Sequence, residues 1–479
     1  MVQEDYLGEI QRLKLQEGGH AMGQDVPVSS PPSSALSKYG TWIQELPSVE
    51  DLERIFLPPT PIGQNDLLAA DELLLHLLKR CSPDVRVACM SRFLRMDHDS
   101  DSLRRAIVDF TLPRLHHLCI RITFESPRPG LSKLMNLLDR CSTILKKLEL
   151  SINIKSSGGN YDRHAEEEQP MGERNDWVSL KELLLHNFTE SVETRSFWSW
   201  VFRRCGQVAK LEVRSTIGTA QNLSQDMLTH MPNLTEITLG SSHPSDFGLM
   251  NDDKVADLLS GSRKGWRILI MSYSAEVGTM AIAALLKHSS TLEALIIERC
   301  ERISKAGLTR VLSTCPNLHT LCDYDLCPEF NVEEFGDRDP VTRLLRPWKC
   351  EPTLKALKLI VHGTPISYIW ADDIDHLVFD RLARLTKLEK LFLGEPDVWK
   401  QPDCPRMSLE SGLHKLSGLK MLKELGVSCM RTRIGVEEVQ WMIEHWPRLQ
   451  TIRGLDENGA DKKVVGWLRD NHPEIKVLG

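Results

Sequence analysis

One apolar pattern recurs along most of this chain and restricts the folds open to it more than any other feature. Each copy has an apolar residue, two others, a second apolar residue, one other and a third apolar residue. Successive copies begin 26 to 36 residues apart, at Leu115, Leu145, Leu180, Val208, Leu234, Trp266, Leu292, Leu318, Leu354, Leu388, Leu422 and Leu449, with a truncated copy at Ile475. Recurrence at spacings of this length indicates a stack of strand-and-helix units.

Each copy separates a buried face from an outer face. In the copy at 388–393, alternation places Leu391 and Leu393 on one side of a strand and Phe392 on the other. The segments 374–386 and 436–445 place apolar residues along one stripe of a helix. Neither element buries its apolar side alone, so neighbouring units must stack. The sequence therefore predicts an α/β leucine-rich-repeat solenoid, a horseshoe with a parallel concave sheet and convex helices.

Caps and prolines give the predicted helices their ends. Ser304 and Gly435 precede helical segments as caps. Four helices are expected to stop just ahead of a new strand, because proline disfavours helix in the residue before it. These stops are at Met231-Pro232, Cys315-Pro316, Trp446-Pro447 and His472-Pro473.

Three regions are expected along the chain. Residues 1–40 are rich in Gly, Pro and Ser and predict disorder with a short helix at most. Residues 41–110 contain a helical pattern over 65–110 that suits a cap on the first repeat. Residues 111–479 form the solenoid. Insertions interrupt it at 155–176, a polar acidic loop, and at 327–352, which is expected to be more structured.

Composition excludes several classes of partner. The net charge is −7 with acids and bases interspersed, so neither nucleic acid nor a membrane surface is expected to bind. The apolar runs are too short to span a bilayer. The first residues lack the features of a secretory signal, and twelve cysteines are scattered without a disulfide framework. These features predict a cytoplasmic or nuclear protein.

No motif in the chain predicts catalysis or a cofactor. Phosphate-binding loops and Gly-x-Gly-x-x-Gly turns are missing from the sequence. The segment 97–102 opens like a calcium loop but lacks its glycine and its closing glutamate. Cys315, Cys322, Cys327 and Cys350 lack the close pair that starts a zinc site. We therefore expect a binding protein without metal or cofactor rather than an enzyme.

One repeat carries a family resemblance. The unit from Leu292 to Leu318 resembles the cysteine-containing leucine-rich repeat, through Cys300, Ile303-Ser304, Gly307-Leu308 and Cys315-Pro316-Asn317-Leu318. That subtype is typical of F-box/leucine-rich-repeat (RNI-like) proteins. Residues 111–479 look like fungal members of the group, with Trp348-x-Cys350, Ile434-Gly435-Val436 and His445-Trp446-Pro447. The resemblance implies an F-box that docks on the adaptor of a cullin-based (SCF-type) ubiquitin ligase while the repeats hold the substrate.

Residues 41–110 depart from the pattern of that family. The segment Leu46-Pro47 to Leu52, followed by Ile55-Phe56, begins like an F-box but runs into Pro58-Pro59. The segment 86–94 has the expected cysteine without the expected tryptophan. Residues 41–110 are thus a helical cap or a degenerate F-box-like region. Two functions stay open: a substrate receptor of a ubiquitin ligase, or a leucine-rich-repeat adaptor or scaffold without ligase docking.

The concave face is the predicted site for a protein partner. Aromatic and arginine side chains concentrate binding energy at interfaces, so outward positions with such residues are the better candidates. The candidate partner-binding residues are Tyr273, Arg299, Tyr324, Lys358, Phe392 and Arg453. The sequence leaves open the identity of the bound protein, the role of phosphorylation and the oligomeric state.

Overall fold

The computed structural model divides the chain into two compact units, residues 1–209 and 210–479. It describes residues 87–91, 116–124, 131–139 in part, 144–154, 176–186, 192–214, 223–240, 251–272, 277–298, 300, 302–322, 329–331, 335, 345–362, 371–394, 405–428, 434–455 and 462–478. Among the described residues, no helix is both long enough and apolar enough to cross a bilayer.

The first unit contains a parallel sheet whose strands pair in chain order. The strands are β1 Val87–Ser91, β2 His117–Phe124, β3 Lys147–Ile154 and β4 Glu182–His186. Helix α1 follows at Val192–Arg204. This helix buries Phe197, Val201 and Phe202. Its Trp200 meets Trp177 edge to face, with ring centroids 5.7 Å apart.

The second unit continues the same alternation of strand and helix. Its strands are β5 Lys210–Arg214, β6 Glu236–Gly240, β7 Ile268–Ser272, β8 Ala294–Glu298, β9 Thr320–Leu321, β10 Glu329–Asn331, β11 Ala356–His362, β12 Lys390–Leu393, β13 Glu424–Gly426, β14 Thr451–Arg453 and β15 Lys476–Leu478. Neighbours in chain order pair in parallel, except that β11 pairs with β9, β10 and β12.

Helices connect most of these strands. They are α2 Leu223–His230, α3 Asp252–Ser260, α4 Thr279–Leu285, α5 Lys305–Thr314, α6 Ala371–Leu382, α7 Val436–His445 and α8 Lys462–Asn471, with 3₁₀ turns at Leu286–His288 and Leu413–Gly418. Asp252 of α3 caps α4, since its carboxylate accepts from the backbone N–H groups of Gly278, Met280 and Ala281 at 2.8 to 2.9 Å.

The repeat pattern locates the strands accurately. Strands β2 to β9 and β11 to β14 each begin two residues after the first apolar residue of a predicted copy. In β12, Leu391 and Leu393 are buried and Phe392 lies on the opposite side, as predicted. The four proline stops are confirmed, because α2, α5, α7 and α8 all end two residues before the proline. The predicted leucine-rich-repeat α/β fold is therefore confirmed.

Two predicted caps also have their expected contacts. Ser304 accepts a hydrogen bond at 3.1 Å from the backbone N–H of Gly307 in the first turn of α5. Gly435 precedes α7 and donates its backbone N–H to the carboxylate of Glu438 at 3.0 Å. Both contacts satisfy donors that a helix leaves unpaired at its first turn.

The helical pattern predicted over 65–110 is wrong at five residues. Val87–Ser91 forms strand β1, which pairs in parallel with β2 from Val87 opposite His117 to Ser91 opposite Arg121. The sheet of the first unit thus begins before residue 111. Short apolar runs fit a buried strand as well as a helix, and pairing with β2 decides between them. The remainder of 1–110 and the insertion at 155–175 lie outside the described residues.

The insertion at 327–352 is attached to α6 through a buried guanidinium. Arg381 is 0% exposed and donates to the carbonyl of Phe335 from Nε at 3.2 Å and Nη2 at 3.1 Å. It also donates to the carbonyl of Arg346, and its guanidinium carbon lies 4.9 Å from the ring centroid of Trp348. Glu351 completes the charge pairing at 3.5 Å. These contacts join the described residues of the insertion to α6.

Candidate partner-binding face

The sheet in the second unit has a buried side, which includes Leu391 and Leu393, and an opposite outer side that presents aligned rows of side chains. We call this side the sheet face. Because each strand pairs in register with the next, equivalent residues stand beside one another. The first outward residues of the strands form a first row, and the second outward residues form a second row. The second row consists of Glu212, Thr238, Ile270 and Ile296 on β5 to β8, then Lys358, Phe392, Gly426, Arg453 and Leu478 on β11 to β15.

Three of the six predicted binding residues meet in this row. Lys358, Phe392 and Arg453 come from β11, β12 and β14, and Gly426 of β13 lies between the last two. The Nζ of Lys358 lies 5.5 Å from the centroid of the Phe392 ring, and the guanidinium carbon of Arg453 lies 5.9 Å from it. Both distances are within cation–π range. The ring is thus flanked by cations from strands on either side.

Glycine at position 426 allows this arrangement. A methyl group on Gly426 would lie 2.2 Å from Cδ1 of Phe392 and 3.0 Å from Cγ. The ring therefore extends over strand β13 into space that any other side chain would fill. Gly426 is a residue of the candidate face that sequence reasoning missed, because the pattern alone does not show which neighbour's side chain covers a glycine.

The three residues differ in accessibility. The side chain of Arg453 is 47% exposed, and its Nε donates to Glu424 at 2.6 Å. Phe392 is half-buried. Lys358 is only 7% exposed, because neighbouring groups cover it although it occupies an outward position of β11.

Tyr273, Arg299 and Tyr324 lie outside the described residues. Tyr273 follows β7 and Arg299 follows β8 directly, while Tyr324 comes shortly after β9. Their part in binding stays a prediction.

Further charged residues lie beside the Phe392 row. Lys390, Glu424 and Lys476 occupy the first outward position of their strands, and Lys355, Glu389 and Lys423 immediately precede strands. A hydrogen bond from Lys423, at 2.5 Å, lowers the pKa of Glu389 below its usual value of 4.5. Counting charges at the position two residues after each repeat start would have revealed Lys390 and Glu424 in the sequence.

The sheet of the first unit carries a different charged cluster. Glu149 on β3 lies 3.5 Å from Arg121 on β2 and 3.4 Å from Nε2 of His186 on β4. Burial raises the pKa of Glu149, but a hydrogen bond from the Cys119 thiol and the charges of His186 and Arg121 outweigh it and lower the pKa overall. The carboxylate is therefore already matched by partners within its own unit.

The buried cysteines pack into the core. Cys300, Cys315, Cys322 and Cys350 are free thiols with 8% exposure or less, as predicted for Cys300 and Cys315. Burial raises the pKa of Cys315 to about 11 and that of Cys350 to about 12, so both thiols are protonated at neutral pH. Among the described residues, no group of three or more His, Cys, Asp or Glu side chains is placed to hold a metal ion.

Comparison with known proteins returns similarity in solved structures alone. No protein-family model and no curated protein matches the sequence. A chain in the crystal structure of the Rad7–Elc1 complex from yeast is 12% identical, with a TM-score of 0.43, over 100% of this chain and 97% of that chain. An internalin from Listeria monocytogenes is 14% identical, with a TM-score of 0.35, over 71% and 82% of the respective chains.

A third similar structure is the Toll–Spatzle complex of Drosophila, at 13% identity and a TM-score of 0.35, over 79% of this chain and 48% of that chain. The leucine-rich-repeat fold of the present chain rests on its own strand register and repeat spacing. Proteins built from stacked repeats expose an extended surface suited to protein–protein interaction, and this is the broad function that the fold supports.

Proposed function

We propose that this chain recognises a protein partner on the sheet face of its second unit, with Phe392 and Arg453 at the centre of the contact. The observation that carries the proposal is the Phe392 ring on its Gly426 seat between two cations. Half-buried aromatic and arginine side chains supply most of the binding energy in many interfaces. Tyr273, Arg299 and Tyr324 are proposed to extend the contact from neighbouring repeats.

We further propose that the bound protein is the substrate of a cullin-based ubiquitin ligase. The support is the resemblance of the 292–318 repeat to F-box/leucine-rich-repeat proteins of fungal type. Docking would then use residues 41–110, where Leu46-Pro47 and Leu52 follow the start of the F-box pattern. The alternative is an adaptor or scaffold that binds the same partner without a ligase. Either role suits a protein of the cytoplasm or nucleus.

Affinity purification of the tagged full-length chain separates these roles. One variant combines Leu46→Asp with Leu52→Asp, and the other carries Phe392→Ala. A substrate receptor loses the ligase adaptor only in the first variant and loses the bound protein only in the second. Reproducible absence of any ligase adaptor from the wild-type purification favours the adaptor or scaffold role. If a variant that combines Phe392→Ala with Arg453→Ala retains every bound protein, recognition on the sheet face is contradicted.

A further inference from the structure

The sheet face of the second unit carries its charge unevenly. From β11 to β15, the outward positions and the residues preceding the strands include six basic side chains, Lys355, Lys358, Lys390, Lys423, Arg453 and Lys476, against the carboxylates Glu389 and Glu424. The described part of this region therefore has an excess of four positive charges. The whole chain has a net charge of −7, so the excess is local.

An uncharged patch borders the basic region on the same face. Ile268 and Ile270 on β7 are half-buried, and Ala294 and Ile296 stand beside them on β8. The outward residue Thr320 of β9 continues the patch toward β11. A ligand that crosses these strands thus meets apolar side chains first and cations afterwards.

We propose that the partner segment is an extended acidic peptide that places an apolar residue on Ile268 and Ile270 and its carboxylates on the exposed cations of the basic region, chiefly Arg453. This inference rests on the proposed protein-binding function and specifies the chemistry of the partner. Apolar contact and charge complementarity would act together: the first supplies affinity, and the second sets orientation and the rate of association.

The spacing of the two contacts defines the segment further. Four strand-to-strand steps separate β7 from β12, by way of β8, β9 and β11. At about 4.8 Å per step this is roughly 19 Å, which an extended chain covers in about six residues. The apolar residue and the first carboxylate of the partner are therefore separated by about six positions.

Arg453 supplies the contact most open to a ligand. Within the described residues its guanidinium hydrogen-bonds through Nε only, to Glu424, so both Nη groups remain available to a carboxylate. Arginine suits this role because its planar guanidinium pairs with a carboxylate through two N–H groups. The ring of Phe392 beneath it holds the guanidinium through the cation–π contact.

An acidic peptide fits this surface better than nucleic acid. The carboxylates of Glu389 and Glu424 lie among the cations, 2.5 Å from Lys423 and 2.6 Å from Arg453 respectively, and would repel a continuous phosphate backbone. The adjoining isoleucines have neither a charge nor a hydrogen-bond donor for a phosphate backbone. A protein segment can alternate apolar and acidic side chains to match.

The test selects peptides and then measures their affinity. A random twelve-residue peptide library displayed on phage is enriched on the immobilised full-length chain, and the leading peptides are labelled with fluorescein for anisotropy titration. The expected peptides carry two or more acidic residues and an apolar residue about six positions away. Single-stranded and double-stranded oligonucleotides of 20 bases serve as competing probes, and tighter binding of these than of any selected peptide overturns the proposal.

Four variants locate the bound peptide. Arg453→Ala and Phe392→Ala are each expected to weaken binding about tenfold. Gly426→Ala should do so as well, because its methyl group displaces the Phe392 ring while leaving every charge in place. The matched control is Arg214→Ala. Arg214 is 56% exposed and is also paired with a glutamate, Glu212, but it lies on β5, outside both the basic region and the apolar patch.

The outcomes distinguish this inference from the broader function. Loss of affinity in the three region variants with no more than about a twofold change in Arg214→Ala supports the acidic-segment proposal. Failure to enrich acidic peptides, or equal losses in all four variants, overturns it. Protein recognition on the sheet face would still stand in that case if Phe392→Ala loses the co-purified partner. The urea midpoint of each variant confirms that its fold is retained.

Discussion

Two halves of the second unit share one backbone pattern and differ in what they display. From β5 to β8, the outward positions and the residues preceding the strands carry three basic side chains, Lys210, Arg214 and Arg267, and four acidic ones, Glu212, Glu236, Glu293 and Glu298. Arg267 pairs with two of these carboxylates, those of Glu236 and Glu293. From β11 to β15 the balance shifts to basic residues around one aromatic ring. The repeat backbone thus provides the scaffold, and departures from charge balance indicate where recognition is proposed.

The helix sides of the two halves differ as well. Between β6 and β8, the carboxylate of Asp252 joins α3 to α4 by capping the next helix. Between β9 and β12, the guanidinium of Arg381 joins α6 to the insertion. The Asp252 contact is an ordinary helix cap, whereas the Arg381 contact holds a segment that lies outside the repeat pattern. The basic region of the sheet face begins at the strand that follows this insertion.

The largest expected effect concerns Arg381. Replacing Arg381 with Met leaves the carbonyls of Phe335 and Arg346 without their buried donor and removes one of the two arginines paired with Glu351, so it should lower the free energy of unfolding by about 3–5 kcal/mol. Urea unfolding followed by tryptophan fluorescence measures this loss. Arg310→Met, at an exposed position of α5, is the control and should change little. Equal stability of both variants would contradict the role given to Arg381.

A smaller effect is expected at Asp252. The Asp252→Ala variant removes the acceptor for three backbone N–H groups at the start of α4 and should cost about 1–2 kcal/mol. The same urea experiment applies, with Asp253→Ala as the neighbouring exposed control. If Asp252→Ala destabilises the chain as much as Arg381→Met, the two halves do not differ in the way described.

A third prediction concerns the rate of association. Lys476 is exposed at the first outward position of β15, within the basic region. Lys476→Ala should therefore slow association of the selected acidic peptide about twofold at low salt. The effect should fade as salt screens the charge. Lys210→Ala, at the first outward position of β5 in the half without an excess of basic residues, provides the comparison in stopped-flow measurements. An equal reduction by Lys210→Ala would place the attraction on the whole face rather than on one half.

The smallest expected effect is a pH dependence at Glu389. Its folded pKa lies below the unfolded value because Lys423 hydrogen-bonds to the carboxylate. Such a group stabilises the folded state above pH 4.5 and loses this contribution as pH falls through its folded pKa. The stability difference between wild type and Glu389→Gln should therefore be present at pH 7 and shrink below pH 4.5. Glu410→Gln, in an exposed turn, is the control, and a difference that grows on acidification would contradict the pairing.

The repeat pattern predicted strand positions well because each strand depends on its own apolar residues. Leu388 and Leu391 define β12 without reference to any distant residue, and Pro447 ends α7 by a local steric rule. The repeat pattern placed Lys358, Phe392 and Arg453 at outward positions of their strands, but it showed neither that Arg453 contacts the Phe392 ring nor that Lys358 is buried. Burial of a side chain depends on residues of other repeats, which a single period does not reveal.

Other features required the three-dimensional structure. Arg381 meets Phe335 across 46 residues of sequence, and nothing in the helix pattern of α6 identifies its partner. The seat that Gly426 provides for Phe392 depends on the pairing of β12 with β13. The strand at Val87–Ser91 depends on pairing with β2 in the same way. Each of these follows from contacts between repeats rather than from the pattern within one.

Site-specific photocrosslinking tests the central claim most directly. The photoreactive residue p-benzoylphenylalanine replaces Phe392 in one full-length variant and the exposed Arg214, on β5, in another. After irradiation in the cells that express the chain, adducts are identified by mass spectrometry. A protein adduct is expected from position 392, attached at or beside an acidic segment, and little or none is expected from position 214. Adducts from position 214 alone, or equally from both positions, would contradict recognition at the basic region.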